Sequence, residues 1–147
     1  MAKNKNVIYI SCLKQFKSEE FMKASELCNI IEKYAPLRYQ ESYDNCGLQI
    51  GDASQEVSGV LITMDVTEEV VEEAAQKGCN FILAHHPLIF RGLKKLTGGD
   101  YVQRCAIKAI KKDICIYACH TNADKILGGV SFKLAEKLGL ANCKVLA

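Results

Sequence analysis

Two rhythms of apolar residues run along this chain. Ala24, Leu27, Cys28 and Ile31 recur at i, i+3, i+4 and i+7, the spacing of one helix face, and Pro36 ends that helix. Residues 60–64, Val-Leu-Ile-Thr-Met, are almost continuously apolar and predict a strand buried on both faces. Asp65 and Thr67 then offer alternative caps for a helix that opens with Glu68 and Glu69, acidic residues suited to its positive dipole end, and closes at Gly78. Asp65 reads equally well as a cap or as a functional carboxylate. A second buried strand covers residues 81–84, and a loop with Gly92, Gly98 and Gly99 follows. Val102, Cys105, Ala106, Ala109 and Ile110 line one face of the next helix, the clearest amphipathic signal in the chain. A third strand spans residues 114–119, and a fourth helix carrying Val130, Leu134, Ala135 and Leu138 stops at Gly139. Val145 and Leu146 begin a further strand, whereas residues 41–51, with Asp44, Asn45 and Gly47 as turn formers, read as irregular.

Strands that alternate with helices, each strand nearly all apolar, predict an α/β fold with a mostly parallel sheet and helices on both faces. The chain's 147 residues suit one domain with a real core. A net charge of +2 argues against a nucleic-acid partner. Lysines do cluster at Lys94 and Lys95 and at Lys108, Lys111 and Lys112, which reads as a solvated helix surface or as a contact for a phosphate-bearing ligand. Of the eight cysteines, Cys28, Cys79, Cys105, Cys115 and Cys119 fall in or beside apolar runs, where a thiol acts as a small hydrophobe. There is no Cys-x-x-Cys pair, no secretory signal and no apolar run long enough to span a membrane, so a cytoplasmic protein is expected.

The chemistry-bearing residues fall where strands end. His85 and His86 follow residues 81–84 directly and precede Pro87, and His120, the third of only three histidines, follows the third strand. Asp124 comes four residues later. Asp65, His85, His86 and Asp124 each lie just beyond a strand's carboxyl end, the edge at which α/β sheets collect ligands. Imidazole with carboxylate is the donor set of divalent metal sites, with structural hydrogen bonding as the alternative use of these histidines. On an extended backbone, adjacent side chains point to opposite sides, so His85 and His86 share a site only across a bend. Asp124 sits in a polar loop ahead of Gly128 and Gly129 and reads as a free carboxylate or a cap. No Gly-x-Ser-x-Gly elbow supports a serine hydrolase.

Three blocks resemble the GTP cyclohydrolase I type 2 proteins, also called Nif-three-like dinuclear metal proteins. They are Glu41-Ser42-Tyr43-Asp44-Asn45-Cys46-Gly47-Leu48-Gln49-Ile50-Gly51, then Leu83-Ala84-His85-His86-Pro87-Leu88-Ile89-Phe90, then His120-Thr121-Asn122-Ala123-Asp124 with Gly128-Gly129-Val130. The resemblance extends from about Met22 to the end and marks residues 1–21 as an N-terminal extension. It implies a cytoplasmic α/β metal protein that assembles into homohexamers. By position it makes His85, His86 and Asp124 metal ligands, and leaves His120 at a motif position that does not ligate directly. It further implies up to two divalent ions per subunit (zinc, iron, manganese, cobalt or nickel), completed by a histidine and a glutamate from a C-terminal segment. No histidine follows His120, and Glu136 falls inside a predicted helix, so residues 22–147 read as the N-terminal part of a longer fold.

Two functional expectations follow. One is a metal-dependent hydrolase of a nucleotide or related phosphorylated small molecule. The other is a non-catalytic, truncated metal-binding or oligomerising interaction module.

Overall fold

The computed structural model describes residues 8–10 and 21–144. Its elements are β1 (Ile8–Ile10), α1 (Ala24–Tyr34), a single 3-10 turn (Leu37–Tyr39), β2 (Gly47–Ile50), β3 (Val60–Thr63), α2 (Glu68–Gln76), β4 (Phe81–Ala84), α3 (Tyr101–Lys111), β5 (Cys115–Ala118), α4 (Thr121–Asp124) and α5 (Val130–Lys137). The expected strand at Val145 and Leu146 lies outside the described residues. Five strands form one sheet in the order β1-β3-β4-β5-β2. β3, β4 and β5 run parallel at the centre, while β1 and β2 pair antiparallel at the two edges.

The central strands are apolar at successive positions because both of their faces are covered. Leu61, Ile82, Ala84 and Ile116 pack beneath α2 and α3, against Val70, Val71, Ala74, Cys105, Ala106 and Ala109. The alternate residues Phe81, Cys115 and Tyr117 pack on the opposite face against Ala24 and Cys28 of α1, where Phe81 and Tyr117 stack with centroids 6.4 Å apart. Burying a large apolar side chain contributes roughly 1.5–3 kcal/mol, so these two layers dominate the stability. All described cysteines are free, and Cys28, Cys79, Cys105 and Cys115 are buried among the hydrophobes. Arg104 and Lys108 pair with Glu68, and Lys112 with Glu72, which ties α3 to α2 and assigns much of that cationic cluster to helix surface. No helix of the described residues is long and apolar enough to cross a membrane.

Two sequence expectations need correction. Residues 41–51 are not wholly irregular, since Gly47–Ile50 forms β2 against β5. The register shifts between Leu48 and Ile50, so these two residues serve opposite faces of the sheet and the period-two signal is lost. Residues 121–124 form a single helical turn rather than a loop. The helix expected from Val130, Leu134, Ala135 and Leu138 is present as α5, and Val130, Leu134 and Leu138 are all exposed.

Candidate metal centre

The carboxyl ends of β3, β4 and β5 deliver the polar groups. Beyond β4 the backbone amides of His85 and His86 still bond to the Thr63 and Met64 carbonyls, at 3.0 and 2.9 Å. The chain bends at these residues, and the two imidazoles come together instead of pointing to opposite sides, with centroids 4.9 Å apart. His120, at the end of β5, packs edge-on to both, at 5.3 Å from His85 and 5.6 Å from His86. One ring nitrogen of each histidine lies within 4.8 Å of the others.

Each ring is oriented from behind. His85 Nδ1 lies 3.0 Å from the Cys119 carbonyl oxygen, His86 Nδ1 lies 2.8 Å from Asp65 Oδ1, and His120 Nδ1 lies 3.0 Å from Asp44 Oδ1. A carbonyl accepts but cannot donate, and a carboxylate does the same, so Nδ1 carries the proton in all three rings. In the neutral imidazole, Nε2 then keeps its lone pair. This is the arrangement by which ligating histidines are fixed in tautomer and direction. The side chains of His85 and His120 are 16% and 22% exposed, so the cluster is sheltered yet open on one side.

Of the expected ligands, His85 and His86 are brought together, and Asp124 approaches with Oδ1 3.9 Å from His85 Nε2. That gap is too long for a hydrogen bond. It fits two donors on one cation, since bonds of about 2.1 Å allow their ends a separation of up to about 4.2 Å. Asp124 does not cap α5, whose N-cap is Gly129 without a side-chain bond. The choice at Asp65 is also decided. Thr67 caps α2 by accepting from the Val70 amide, and Asp65 is left to hold His86. His120, placed by resemblance outside direct ligation, puts its ring beside the other two.

Asp44 is the functional residue that sequence reasoning took for a turn former. Its carboxylate has no exposed surface and accepts from His120, from the Thr121 amide at 3.1 Å, from the Thr121 hydroxyl, from the Cys46 thiol at 3.2 Å and from the Asn45 amide at 2.8 Å. Burial disfavours its charge, but the bonds from Thr121, His120, Cys46 and Asn45 outweigh burial and hold the carboxyl well below the usual range. Its sequence signals were an acidic residue between Tyr43 and Asn45, in a stretch read as irregular, and its place in the first of the three resembling blocks. Behind α4, buried Asn122 donates to the Ala35 carbonyl at 2.7 Å and locks this turn to the end of α1. Burial pushes the neighbouring Cys119 thiol up to about 11 and raises that of Cys46 as well, so imidazole and carboxylate are the donors on offer at neutral pH.

Residues 22–147 match the family model described as Duf34/NIF3 (NGG1p interacting factor 3). A Clostridium acetobutylicum protein described as a GTP cyclohydrolase 1 type 2 homolog is 36% identical over 126 residues, covering 86% of this chain and 47% of the relative. A Staphylococcus aureus protein of the same description is 44% identical over 125 residues, covering 85% and 34%. The solved structure of a Bacillus cereus protein related to NIF3 superposes with a TM-score of 0.82 at 46% identity, covering 88% of this chain and 36% of that one. The chain thus spans between a third and a half of the length of these relatives. With a family model matched from Met22 to the end and relatives this similar, the chain belongs to the Duf34/NIF3 family.

Proposed function

We propose that the cluster at the carboxyl edge of the sheet binds divalent metal and serves a metal-dependent hydrolase acting on a nucleotide or related phosphorylated small molecule. The observation that carries this reading is the convergence of three imidazoles whose Nδ1 atoms are all engaged by acceptors. His85, His86 and Asp124 hold the metal, with His120 lining the same site. A bound divalent cation would polarise a phosphoryl or carbonyl oxygen and make water more acidic at neutral pH. The protein's own part is positional. Asp65 and the Cys119 carbonyl aim His86 and His85, and Asp44 keeps the Nδ1 proton of His120 in place. Imidazole with carboxylate accommodates zinc, iron, manganese, cobalt or nickel. From the resemblance of the three sequence blocks alone, we further propose up to two ions per subunit and assembly into a homohexamer.

A second reading is metal binding without turnover, within a larger assembly. It is favoured by the exposed apolar residues Leu127, Leu134 and Leu138 at and beside α5. Metal per protomer, measured by elemental mass spectrometry after dialysis, tests the shared premise. Near-stoichiometric metal in the wild type and its loss in the His85→Ala/His86→Ala double variant are expected. Equal metal in both proteins would refute the site. Chelator-sensitive hydrolysis of nucleoside triphosphates then separates the two readings, because the second expects retained metal with no hydrolysis.

A further inference from the structure

Two large aromatic rings stand exposed on the chain segments that flank the candidate metal centre. Tyr43 is 65% exposed and Phe90 45% exposed, and they meet with ring centroids 6.4 Å apart and planes inclined by 56°. Phe81 and Tyr117, by contrast, stack inside the core. Because the two planes are inclined, the surface pair forms a wedge. A third flat ring can stack on one member while meeting the edge of the other, both favoured aromatic geometries.

The wedge belongs to the site's own scaffold. Tyr43 precedes Asp44, whose carboxylate lies 3.0 Å from His120 Nδ1. Standard backbone and side-chain lengths then place the Tyr43 Cα no more than about 10 Å from that ring. Phe90 follows His86 by four residues on the segment that leaves β4, anchored by buried Leu88. The two segments are fastened to each other. Asn45 Nδ2 donates to the Ile89 carbonyl at 2.5 Å, and Gln49 both donates to that carbonyl at 3.2 Å and accepts from the Ile89 amide at 3.0 Å. The rings are therefore presented by a braced frame, which lowers the ordering cost of binding.

We propose that Tyr43 and Phe90 form the seat for a planar heteroaromatic ring of the ligand whose polar end reaches the metal centre. For its reaction this seat rests on the metal-centre reading, but for ring binding it does not. The ring is held by π-face contact, so the seat selects flatness over hydrogen-bonding pattern. Nucleobases and the isoalloxazine of a flavin both carry that chemistry.

The test is calorimetric titration of the whole chain with purine and pyrimidine nucleoside monophosphates and riboflavin phosphate, with ribose 5-phosphate as the ring-free control. Stacking on an aromatic side chain accounts for about a tenfold affinity change per ring removed. We expect ring-bearing probes to bind more tightly than ribose 5-phosphate and to lose about tenfold in Tyr43→Ala and in Phe90→Ala. Tyr43→Phe keeps the ring and should keep the affinity, and ribose 5-phosphate should bind all variants alike. Relative affinities among the probes distinguish a nucleobase from a flavin. The seat is overturned if no ring-bearing probe outbinds ribose 5-phosphate, or if the alanine variants bind as the wild type does. Metal content measured on the same preparations keeps the two ideas apart. Ring selectivity through Tyr43 and Phe90 in a protein that holds no metal would sink the proposed function and leave the seat standing.

Discussion

Replacing Asp44 with alanine removes the group that holds His120, and with it one side of the candidate site, from behind. Its carboxylate collects donors from His120, the Thr121 amide and hydroxyl, the Cys46 thiol and the Asn45 amide, with none of its own surface exposed. The exposed Asn45 amide regains water, and a thiol is a weak donor, so the cost concentrates on His120 and Thr121. A sheltered donor left unpaired costs about 1–3 kcal/mol. The Thr121 hydroxyl can rotate and the His120 ring can move its proton, which brings the expected total to about 2–4 kcal/mol rather than the sum of full penalties. At roughly 2–4 °C per kcal/mol, the thermal midpoint should fall by about 5–15 °C, read by far-ultraviolet circular dichroism. If the proposed metal site holds, loss of the group that orients His120, which lines that site, should also weaken metal retention. Asp44→Asn should fall between, since it keeps one acceptor but turns an amide donor toward the Thr121 donors. An unchanged midpoint together with wild-type metal retention in Asp44→Ala would refute the reasoning.

The same carboxylate sets an acid limit. Its folded pKa lies below its unfolded value of about 3.9, so its contribution is complete above that pH and is lost as pH falls toward the folded value. Wild-type stability should therefore drop more steeply than that of Asp44→Asn below about pH 4, and parallel curves would contradict the assignment. Gly129→Ala should destabilise the α4–α5 junction by about 1–3 kcal/mol in urea denaturation. The added Cβ would overlap the Ala123 carbonyl oxygen and lie 2.9 Å from that of Ile126, and both obstacles are backbone. Iodoacetamide at pH 8 should modify exposed Cys143 well before Cys28 and Cys105, whose thiols burial pushes up to about 11. Peptide mapping that finds Cys105 labelled as fast as Cys143 in the folded protein would overturn that burial.

What the sequence made legible was governed by burial on two faces. β3, β4 and β5 announce themselves because apolar residues at successive positions serve α2 and α3 on one side and α1 on the other. The edge strand β2 escapes notice because its bulge places Leu48 and Ile50 on opposite faces, and a four-residue strand has no room to restore the alternation. Its existence depends on pairing with β5, a contact between residues about seventy positions apart that no local pattern encodes. The helix α5 shows the converse. Val130, Leu134 and Leu138 recur at helical spacing, yet periodicity reports only that a face is apolar and says nothing of what lies against it.

The candidate site divides along the same line. His85, His86 and Asp124 could be picked out because imidazole and carboxylate at strand ends are conspicuous in a chain with three histidines. The groups that aim them are not conspicuous. A backbone carbonyl at Cys119 has no sequence signature, Asp44 resembles an ordinary turn residue, and Asp65 reads equally as a cap or as a site carboxylate. Yet it is these partners that convert three imidazoles from ambiguous hydrogen-bonding groups into a set of directed Nε2 lone pairs, because none of the three acceptors can supply a proton to Nδ1. The distinction has a measurable consequence. If orientation rather than the mere presence of histidine makes the site, then Asp65→Ala, at a side chain 67% exposed and of little structural weight, should weaken metal retention without lowering the thermal midpoint. Asp44→Ala should lower both. Metal retention in Asp65→Ala equal to the wild type would mean that His86 needs no holding, and the argument from tautomers would fail at that ring.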